Sequence, residues 1–209
     1  MPCFPLNSGG GVALGLLVLY LAVGFGLRAA ILYHRTGSLG LHGVQGAFGS
    51  VEWIAGMLFV VGLLAGGAAA IGDMLHLMKP APFLTGPVVR TVALVVFWLG
   101  FLATFGAQMA LGDSWRVGVP RDEHTALVTN GPFAWVRNPI FTAMLISAAG
   151  LLLLVPNLAA LGAWTAMLVG LEIHVRLVEE PHLLNMHGDA YAKYAARVGR
   201  FWPYLGRLR

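Results

Sequence analysis

Two polar segments interrupt a sequence that is otherwise strongly apolar, and they hold most of the side chains able to do chemistry. The first is His124–Pro139, HTALVTNGPFAWVRNP, and the second is Arg176–Pro203, RLVEEPHLLNMHGDAYAKYAARVGRFWP. Arginine and carboxylate side chains form charge-assisted pairs with small ionic ligands, and a positioned carboxylate can accept a proton. The two segments therefore predict a site for a small charged ligand.

Arg137 stands at the mouth of a helix that is predicted to begin at Pro139, a residue suited to a first helical turn. A helix N-terminus carries partial positive charge and unpaired N–H groups, so an arginine beside it favours an anionic group. The alternative is an arginine whose long side chain reaches lipid phosphates at the membrane surface. Position alone leaves both roles open.

Two adjacent carboxylates, Glu179 and Glu180, follow Glu172 and Arg176 at helical spacing. Arg176 can therefore pair with Glu172 or with Glu180, as charged residues do on a solvated helix face. The same carboxylates could instead face a ligand, and the spacing does not decide between these roles.

Metal binding is the remaining chemistry that these residue types allow. Glu179-x-x-His182, with His174 and His187 near it, supplies suitable ligands. The 7 histidines of the chain are scattered, however, rather than clustered at the short repeats that membrane di-iron enzymes need. We therefore predict no metal site.

The composition indicates that the chain carrying these two segments is a membrane protein. Of 209 residues, 58% are hydrophobic and 11% are charged, whereas soluble domains average roughly 25% charged. A soluble domain of this size could not bury so much apolar surface. The single cysteine, Cys3, excludes an intrachain disulfide and a cysteine-based metal cluster.

Five stretches have the length of a membrane span or come close to it, given that crossing the hydrocarbon takes roughly 20 helical residues. They are Gly11–Tyr33, Phe48–Ile71, Val88–Leu111, Pro139–Val155 and Leu158–Val175. Pro156-Asn157 alone separates the last two, which predicts a tight helical hairpin. The tail should end in an amphipathic helix at Ala190–Gly199, with Tyr191 and Tyr194 as interfacial anchors. The predicted fold is an all-α polytopic membrane helix bundle of about five transmembrane helices.

We expect one integral membrane domain over residues 1–209. Residues 1–111 would form three N-terminal spans, and residues 112–209 would form the catalytic region with its loop, hairpin and cytoplasmic tail. The first span is interpreted as a retained helix, because no Lys or Arg precedes Arg28 as a signal peptide would require. Gly62 and Gly66 form a GxxxG pair suited to close helix packing, within a chain or between chains, so the oligomeric state stays open.

Orientation follows from the basic residues. Of the 13 Lys and Arg residues, all but Lys79 and Arg90 fall on the side that carries the tail. The positive-inside rule then predicts an outside N-terminus and a cytoplasmic C-terminus. It also explains the net charge of +4 without a nucleic-acid partner. Abundant alanine, glycine and arginine suggest a bacterial source, and hence a bacterial inner membrane.

The two polar segments together resemble a known family. GPFAWVRNPIF at residues 131–141, preceded by Leu-Val-Thr, is similar to the pattern LVTxGPY..VRHPxY. EEPHLLNMHGDAYAKYAARVGRFWP at residues 179–203 is similar to EExxL…FGxxYxxYxxxVxRFxP. Both patterns belong to the isoprenylcysteine carboxyl methyltransferase family and its bacterial and phospholipid-methylating relatives. The first three spans match the family only as generic membrane helices.

This resemblance implies a site for S-adenosylmethionine, with S-adenosylhomocysteine as product, built from the ends of membrane helices. It places the catalytic roles on Arg137, Glu179 and Glu180. The residues implied in cofactor binding are His124, Leu127, Val128, Thr129, Gly131, Asn138, Tyr191 and Arg200. This sequence departs from the family pattern at three positions: Asn138 replaces a histidine, His187 replaces the phenylalanine before Gly188, and His124 lies one residue further from Leu-Val-Thr.

The expected reaction is methyl transfer to a lipid-like acceptor within membrane lipids, most simply O-methylation of an isoprenoid or fatty carboxylate. Arg137 would hold the carboxylate, and Glu179 or Glu180 would orient the cofactor. N-methylation of a phospholipid amine and S-methylation of a thiol are alternatives. A membrane scaffold or transporter subunit is a non-enzymatic alternative, although the charged residues nearest to a span interior, Arg28 and Glu52, lie near helix ends.

Overall fold

The computed structural model describes residues 8–118 and 126–208, and its regular structure is helical. The α-helices are α1 (Gly9–Leu21), α2 (Arg28–Thr36), α3 (Val51–Met74), α4 (Pro87–Leu111), α5 (Pro139–Leu154), α6 (Leu158–His174), α7 (Glu180–His187) and α8 (Asp189–Ala195). Two π-helical segments, Ala22–Leu27 and Val175–Glu179, join α1 to α2 and α6 to α7 without a break.

Four continuous helical segments in the described part of the chain are long and apolar enough to cross a membrane. They are Gly9–Thr36, Val51–Met74, Pro87–Ser114 and Leu158–His187. Helix α5 has 16 residues and is shorter than these. It nevertheless connects the two ends of the bundle, because the Ala81 N–H of the α3–α4 connection donates to Pro156 O, just beyond the end of α5, at 2.7 Å. The predicted all-α membrane bundle is confirmed.

The long helices associate in two pairs, α4 with α5 and α3 with α6, and α1 lies against α3 and α5. Small residues set the close contacts, as is usual where lipid offers no hydrophobic drive for helix association. A Cβ on Gly62 of α3 would lie 2.6 Å from Met167 Cγ and 2.8 Å from Ala163 O on α6. Gly62 therefore has the packing role that the GxxxG pair predicts.

The predicted hairpin of α5 and α6 is present. Asn157 begins α6 by accepting the Ala160 N–H at 2.9 Å, the capping bond that lets the chain restart after Pro156. The two helices stay in contact beyond the turn, since Trp164 Nε1 of α6 donates to Leu145 O of α5 at 3.0 Å and Leu145 packs with Met167 and Leu171. Each helix also has a more extensive neighbour, α4 for α5 and α3 for α6.

The last helix is shorter than predicted, ending at Ala195 rather than Gly199. The chain turns there because Gly199 forms a parallel bridge with Val136, the residue before Arg137. A Cβ on Gly199 would lie only 2.0 Å from Trp202 O, so the close approach of the tail to itself requires glycine. This turn brings the tail back over the mouth of α5.

Candidate active site

The two polar segments of the sequence lie against each other. Arg137 N–H donates to Gly199 O at 2.8 Å, and Asn138 N–H donates to Arg200 O at 3.0 Å. The Asn138 Nδ2 amide also donates to Arg200 O, at 3.2 Å, and Thr142 Oγ1 donates to Phe201 O at 3.0 Å. Main-chain bonds thus fix the tail to the start of α5, and we call this contact region the clasp.

A buried ion-pair network lies at the centre of the clasp. Arg137 Nη2 donates to Glu180 Oε1, and Arg200 donates to both carboxylate oxygens of Glu180 at 2.8 Å. The side chains of Arg137 and Glu180 are 1% and 5% exposed. Such a pair is stable only when further hydrogen bonds satisfy its remaining donors and acceptors.

Arg137 has such partners for both terminal nitrogens, and only its buried Nε lacks one among the described residues. Its Nη1 donates to Ala195 O at 3.0 Å and Val198 O at 2.5 Å, and its Nη2 also donates to Gly206 O at 3.0 Å. The sequence left two roles open, an anion-binding residue or one reaching lipid phosphates. In the structure, Arg137 instead binds the tail, and both terminal nitrogens are occupied by the protein itself.

The neighbouring carboxylate, Glu179, has a different environment. Its Oε2 atom is buried and has no hydrogen-bond partner among the described residues. Glu179 ends the π-helical segment Val175–Glu179, whereas Glu180 begins α7. Arg176 pairs with Glu172, at 2.5 Å, on the outside of the helix, so the second partner considered for it, Glu180, is excluded. Of the two adjacent carboxylates, Glu179 is the one available to a ligand.

The tail tyrosines are buried, contrary to the prediction that they anchor an interfacial helix. Tyr191 and Tyr194 are 2% and 5% exposed and pack with Leu127 and Leu183. Burial raises the pKa of Tyr194 to about 12, so its neutral phenol donates to Phe133 O at 2.6 Å. Burial and the charge of Glu180 raise the pKa of Tyr191 as well. The helix faces the clasp because its apolar side has Leu127 to cover.

One cavity of about 430 Å³ joins the clasp to the apolar interior of the bundle. Its polar end is lined by Arg137, Asn138, Glu179, Glu180 and Tyr191, and its apolar end by Phe25, Phe59, Met144 and Leu171. A second cavity of about 70 Å³, between α1, α3, α5 and α6, shares Phe25, Phe59 and Met144 with the first. The space can therefore hold a charged group at one end and a hydrocarbon chain at the other.

Of the remaining residues predicted to bind the cofactor, some line the cavity and others do not. Leu127 and Val128 line the cavity, in a stretch that forms neither helix nor strand. Thr129 and Gly131 are exposed and do not line it, and Arg200 contributes to the clasp rather than to the cavity wall. His124 lies outside the described residues. Within those residues, no group of three His, Cys, Asp or Glu side chains is arranged to hold a metal ion.

Sequence reasoning missed the cavity wall formed by the N-terminal half. Gln108 and Trp115 line the cavity, and Arg28 lies beside them, fully buried. The available signal was a lone glutamine within an apolar span, since a polar residue inside a membrane helix marks a functional site by default. Arg28 was noted only as a charged residue near a helix end, and no role was assigned to it.

Comparison with known proteins agrees with this geometry. The family model of phospholipid methyltransferases matches residues 88–190. The protein-S-isoprenylcysteine O-methyltransferase of Schizosaccharomyces pombe is 26% identical over 162 residues, covering 75% of this chain and 69% of the relative. These matches support the isoprenylcysteine carboxyl methyltransferase family that the two sequence patterns indicate.

A solved structure supports the same fold. The eukaryotic intramembrane Ras methyltransferase ICMT, an isoprenylcysteine carboxyl methyltransferase, superposes with a TM-score of 0.62 at 19% identity. The likeness covers 95% of this chain and 67% of that one. Together with the apolar spans, these matches identify this protein as an integral membrane enzyme, a methyltransferase.

Proposed function

We propose that this enzyme transfers a methyl group from S-adenosylmethionine to a carboxylate on a lipophilic, isoprenoid or fatty, acceptor. The observation that supports this most is the cavity that runs from the clasp into the apolar interior. At its polar end lies Glu179, whose Oε2 has no partner among the described residues. The site would lie at the inner face of a bacterial inner membrane, with the N-terminus outside and the C-terminus in the cytoplasm.

The residues at the polar end fit the cofactor. When bound, S-adenosylmethionine supplies a methyl group that is activated by a positively charged sulfur. The unpaired Oε2 of Glu179 matches a positive charge in a low-dielectric site, where such an interaction is strong. Leu127 and Val128 would cover apolar parts of the cofactor, and Tyr191 offers a neutral phenol beside Glu179.

Glu180 and Arg137 would act as positioning residues in this proposal. Both lie in the wall of the cavity, but their charges are used by each other and by the tail. They keep the clasp closed over the polar end, and so exclude water from it. Thr129, Gly131 and Arg200 would support the cofactor from outside the wall. Of the three residues predicted to be catalytic, this proposal keeps only Glu179 at the reacting centre.

A carboxylate acceptor suits this site because its methylation needs no base. Carboxylates are ionised at neutral pH, so attack on the methyl group needs alignment and desolvation rather than proton removal. Holding the reactants in line can contribute on the order of 7–11 kcal/mol. An amine or thiol acceptor would have to lose a proton, and Glu179 would then serve as the base.

The test is methyl transfer by the purified protein in lipid nanodiscs, with labelled cofactor and four acceptors offered separately. These are a prenylated cysteine derivative, a long-chain fatty acid, phosphatidylethanolamine and an alkyl thiol. We expect label in a base-labile methyl ester with the first or second acceptor. Label only in the amine lipid or the thiol would contradict the proposal. Calorimetry with S-adenosylhomocysteine separates an enzyme from a scaffold, because a scaffold would show no binding.

A further inference from the structure

The end of the chain forms a turn beside the first turn of α5. Residues 202–205, which we call the tail turn, close with a hydrogen bond from the Leu205 N–H to Trp202 O at 3.2 Å. Directly before them, Phe201 O accepts Thr142 Oγ1 at 3.0 Å. Thr142 lies in the first turn of α5. The tail turn is therefore held at the level where α5 begins to cross the membrane.

The large apolar side chains of the tail turn point outward. Trp202, Tyr204 and Leu205 are 63%, 75% and 65% exposed. Trp135, in the loop that pairs with the tail just before α5, is 72% exposed. A group of exposed apolar side chains of this kind marks an interaction surface. Tryptophan and tyrosine are also the residues enriched where membrane helices leave the bilayer.

The backbone of the tail turn is held in a conformation that its sequence does not favour. Tyr204 has a φ of 69°, in the left-handed region that suits glycine and disfavours a bulky side chain. Hydrogen bonds on both sides keep it there, from the Arg200 N–H to Leu205 O at 2.8 Å and from the Leu208 N–H to Ala195 O at 3.1 Å. Such strain is concentrated at functional sites. The ring at this position therefore needs a reason that glycine would not supply.

The charge around the tail turn is basic. Every charged residue between positions 190 and 208 is a cation, namely Lys193, Arg197, Arg200 and Arg207. Arg200 pairs with Glu180, and the other three side chains are exposed. The Arg207 guanidinium carbon lies 4.9 Å from the centre of the Tyr204 ring, a cation–π contact that keeps the charge beside the apolar patch. Exposed rings next to cations match an anionic membrane surface, which attracts Lys and Arg.

One hydrogen bond connects the tail turn to the active site. Gly206, the residue after the turn, accepts Arg137 Nη2 at 3.0 Å, and the same nitrogen donates to Glu180. Arg137 and Glu180 both line the large cavity. A change in the position of the tail turn would therefore move one of the carbonyls that hold this ion pair.

We propose that the tail turn binds anionic phospholipid in the leaflet on its side of the membrane. Its three apolar side chains enter the interface, and Arg207 binds the lipid phosphate. Lipid binding then fixes the carbonyl of Gly206 and holds the clasp in the arrangement that methyl transfer needs. A zwitterionic lipid has the phosphate but carries a compensating cation. The effect on the rate rests on the proposed function, whereas the binding itself does not.

The first experiment locates the tail turn in the full-length protein in nanodiscs. Leu205→Cys, with the single native cysteine removed by Cys3→Ser, carries one environment-sensitive fluorophore. We expect quenching by lipids that have a nitroxide near the head group, and protection from acrylamide in the water. Asp189→Cys, at the exposed start of α8, is the control and should be quenched by acrylamide only. Acrylamide quenching alone at Leu205→Cys would overturn the proposal and would indicate a face for a soluble protein partner.

The second experiment measures methyl transfer as phosphatidylglycerol replaces phosphatidylcholine in the nanodisc. Wild type should be activated. Arg207→Gln should raise the fraction of phosphatidylglycerol needed for half-maximal activity about fivefold, the contribution of roughly one basic residue near an anionic surface. Its rate in pure phosphatidylcholine should equal that of wild type. Arg35→Gln is the matched control, because the charge of Arg35 is already compensated by Asp113, and it should behave as wild type.

Tyr204→Gly separates lipid binding from folding. Glycine suits a φ of 69°, so the free energy of unfolding should be unchanged or higher. The response to phosphatidylglycerol should nevertheless be largely lost, because the ring and its contact with Arg207 are gone. Tyr204→Phe keeps the ring and should retain most of the response. A destabilised Tyr204→Gly protein, or one with a full lipid response, would overturn the proposal.

A rate independent of phosphatidylglycerol in wild type, or the same lipid dependence in Arg207→Gln, would overturn it as well. Failure of the proposed function looks different, because no carboxylate acceptor would then be methylated in any lipid. In that case, nitroxide quenching at Leu205→Cys with and without Arg207→Gln, titrated with phosphatidylglycerol, would still test lipid binding. Equal titrations would count against it.

Discussion

Arg137 and Arg28 are both almost completely buried, 5% and 0% exposed, yet their surroundings differ. Arg137 lies in a segment that the family patterns mark, and it is bound by Glu180 and by three carbonyls of the tail. Arg28 lies in a span that matches the family only generically, and two of its nitrogens have no partner among the described residues.

The difference shows that membership of a recognised pattern does not reveal what a charged residue touches. A cation such as Arg137, whose two terminal nitrogens both bind the protein and whose Nε alone lacks a partner among the described residues, stabilises the fold. A buried cation with more unused donors, such as Arg28, carries a cost that other contacts of the fold must offset. The same contrast separates the adjacent carboxylates Glu180, which is saturated, and Glu179, which is not.

The largest effect is expected from removing Glu180, the carboxylate that Arg137 and Arg200 share. Glu180→Ala would leave Arg137 and Arg200 buried without their shared carboxylate. Removing one partner of a buried pair destabilises by about 3–5 kcal/mol, so the free energy of unfolding in detergent should fall by that amount, with loss of activity. Glu172→Ala, which breaks the exposed pair with Arg176, is the control and should change stability by only about 0.3–0.5 kcal/mol. Equal effects of the two variants would contradict a structural role for the clasp network.

Replacing Glu179 should have the opposite effect, with little change in stability and a large loss of activity. Glu179→Gln removes a buried charge that has no partner in the described residues, so stability should be unchanged or slightly higher. Methyl transfer should fall by about 10²–10³-fold, as when one preorganised electrostatic group is removed from an active site. Single-turnover rates and unfolding curves for the same preparation check both expectations. A stable variant with a normal rate would remove Glu179 from the reacting centre.

The smallest effect concerns a neutral contact of the clasp. Tyr194→Phe removes the hydrogen bond to Phe133 O but keeps the packing of the ring. We expect a loss of about 1 kcal/mol in unfolding free energy and little change in kcat. Tyr191→Phe provides the comparison, since Tyr191 lines the cavity and Tyr194 bonds to the loop. A larger loss of kcat for Tyr194→Phe than for Tyr191→Phe would show that the two tyrosines exchange these roles.

Much of the fold could be predicted from the sequence because membrane spans are a local property. The predicted Val88–Leu111, Pro139–Val155 and Leu158–Val175 agree to within one residue with α4, α5 and α6. The helical hairpin with its turn at Pro156-Asn157 was also correct. The other neighbours of α5 and α6 were not predicted, because small residues on several helices decide which helix packs on which neighbour.

The sequence by itself determined the apolar spans, the positions of the two polar segments and the family. It also identified Arg137, Glu180 and Arg200, which the structure brings together, but not Gln108 and Trp115 of the cavity wall. The tertiary structure alone decided which of those residues are free: Arg137 meets Glu180 across 43 positions of the chain, and Arg28 meets the end of α4 across 80. Hydrophobicity acts residue by residue and can be read locally, whereas the pairing of a buried charge depends on partners that only the folded chain brings within reach.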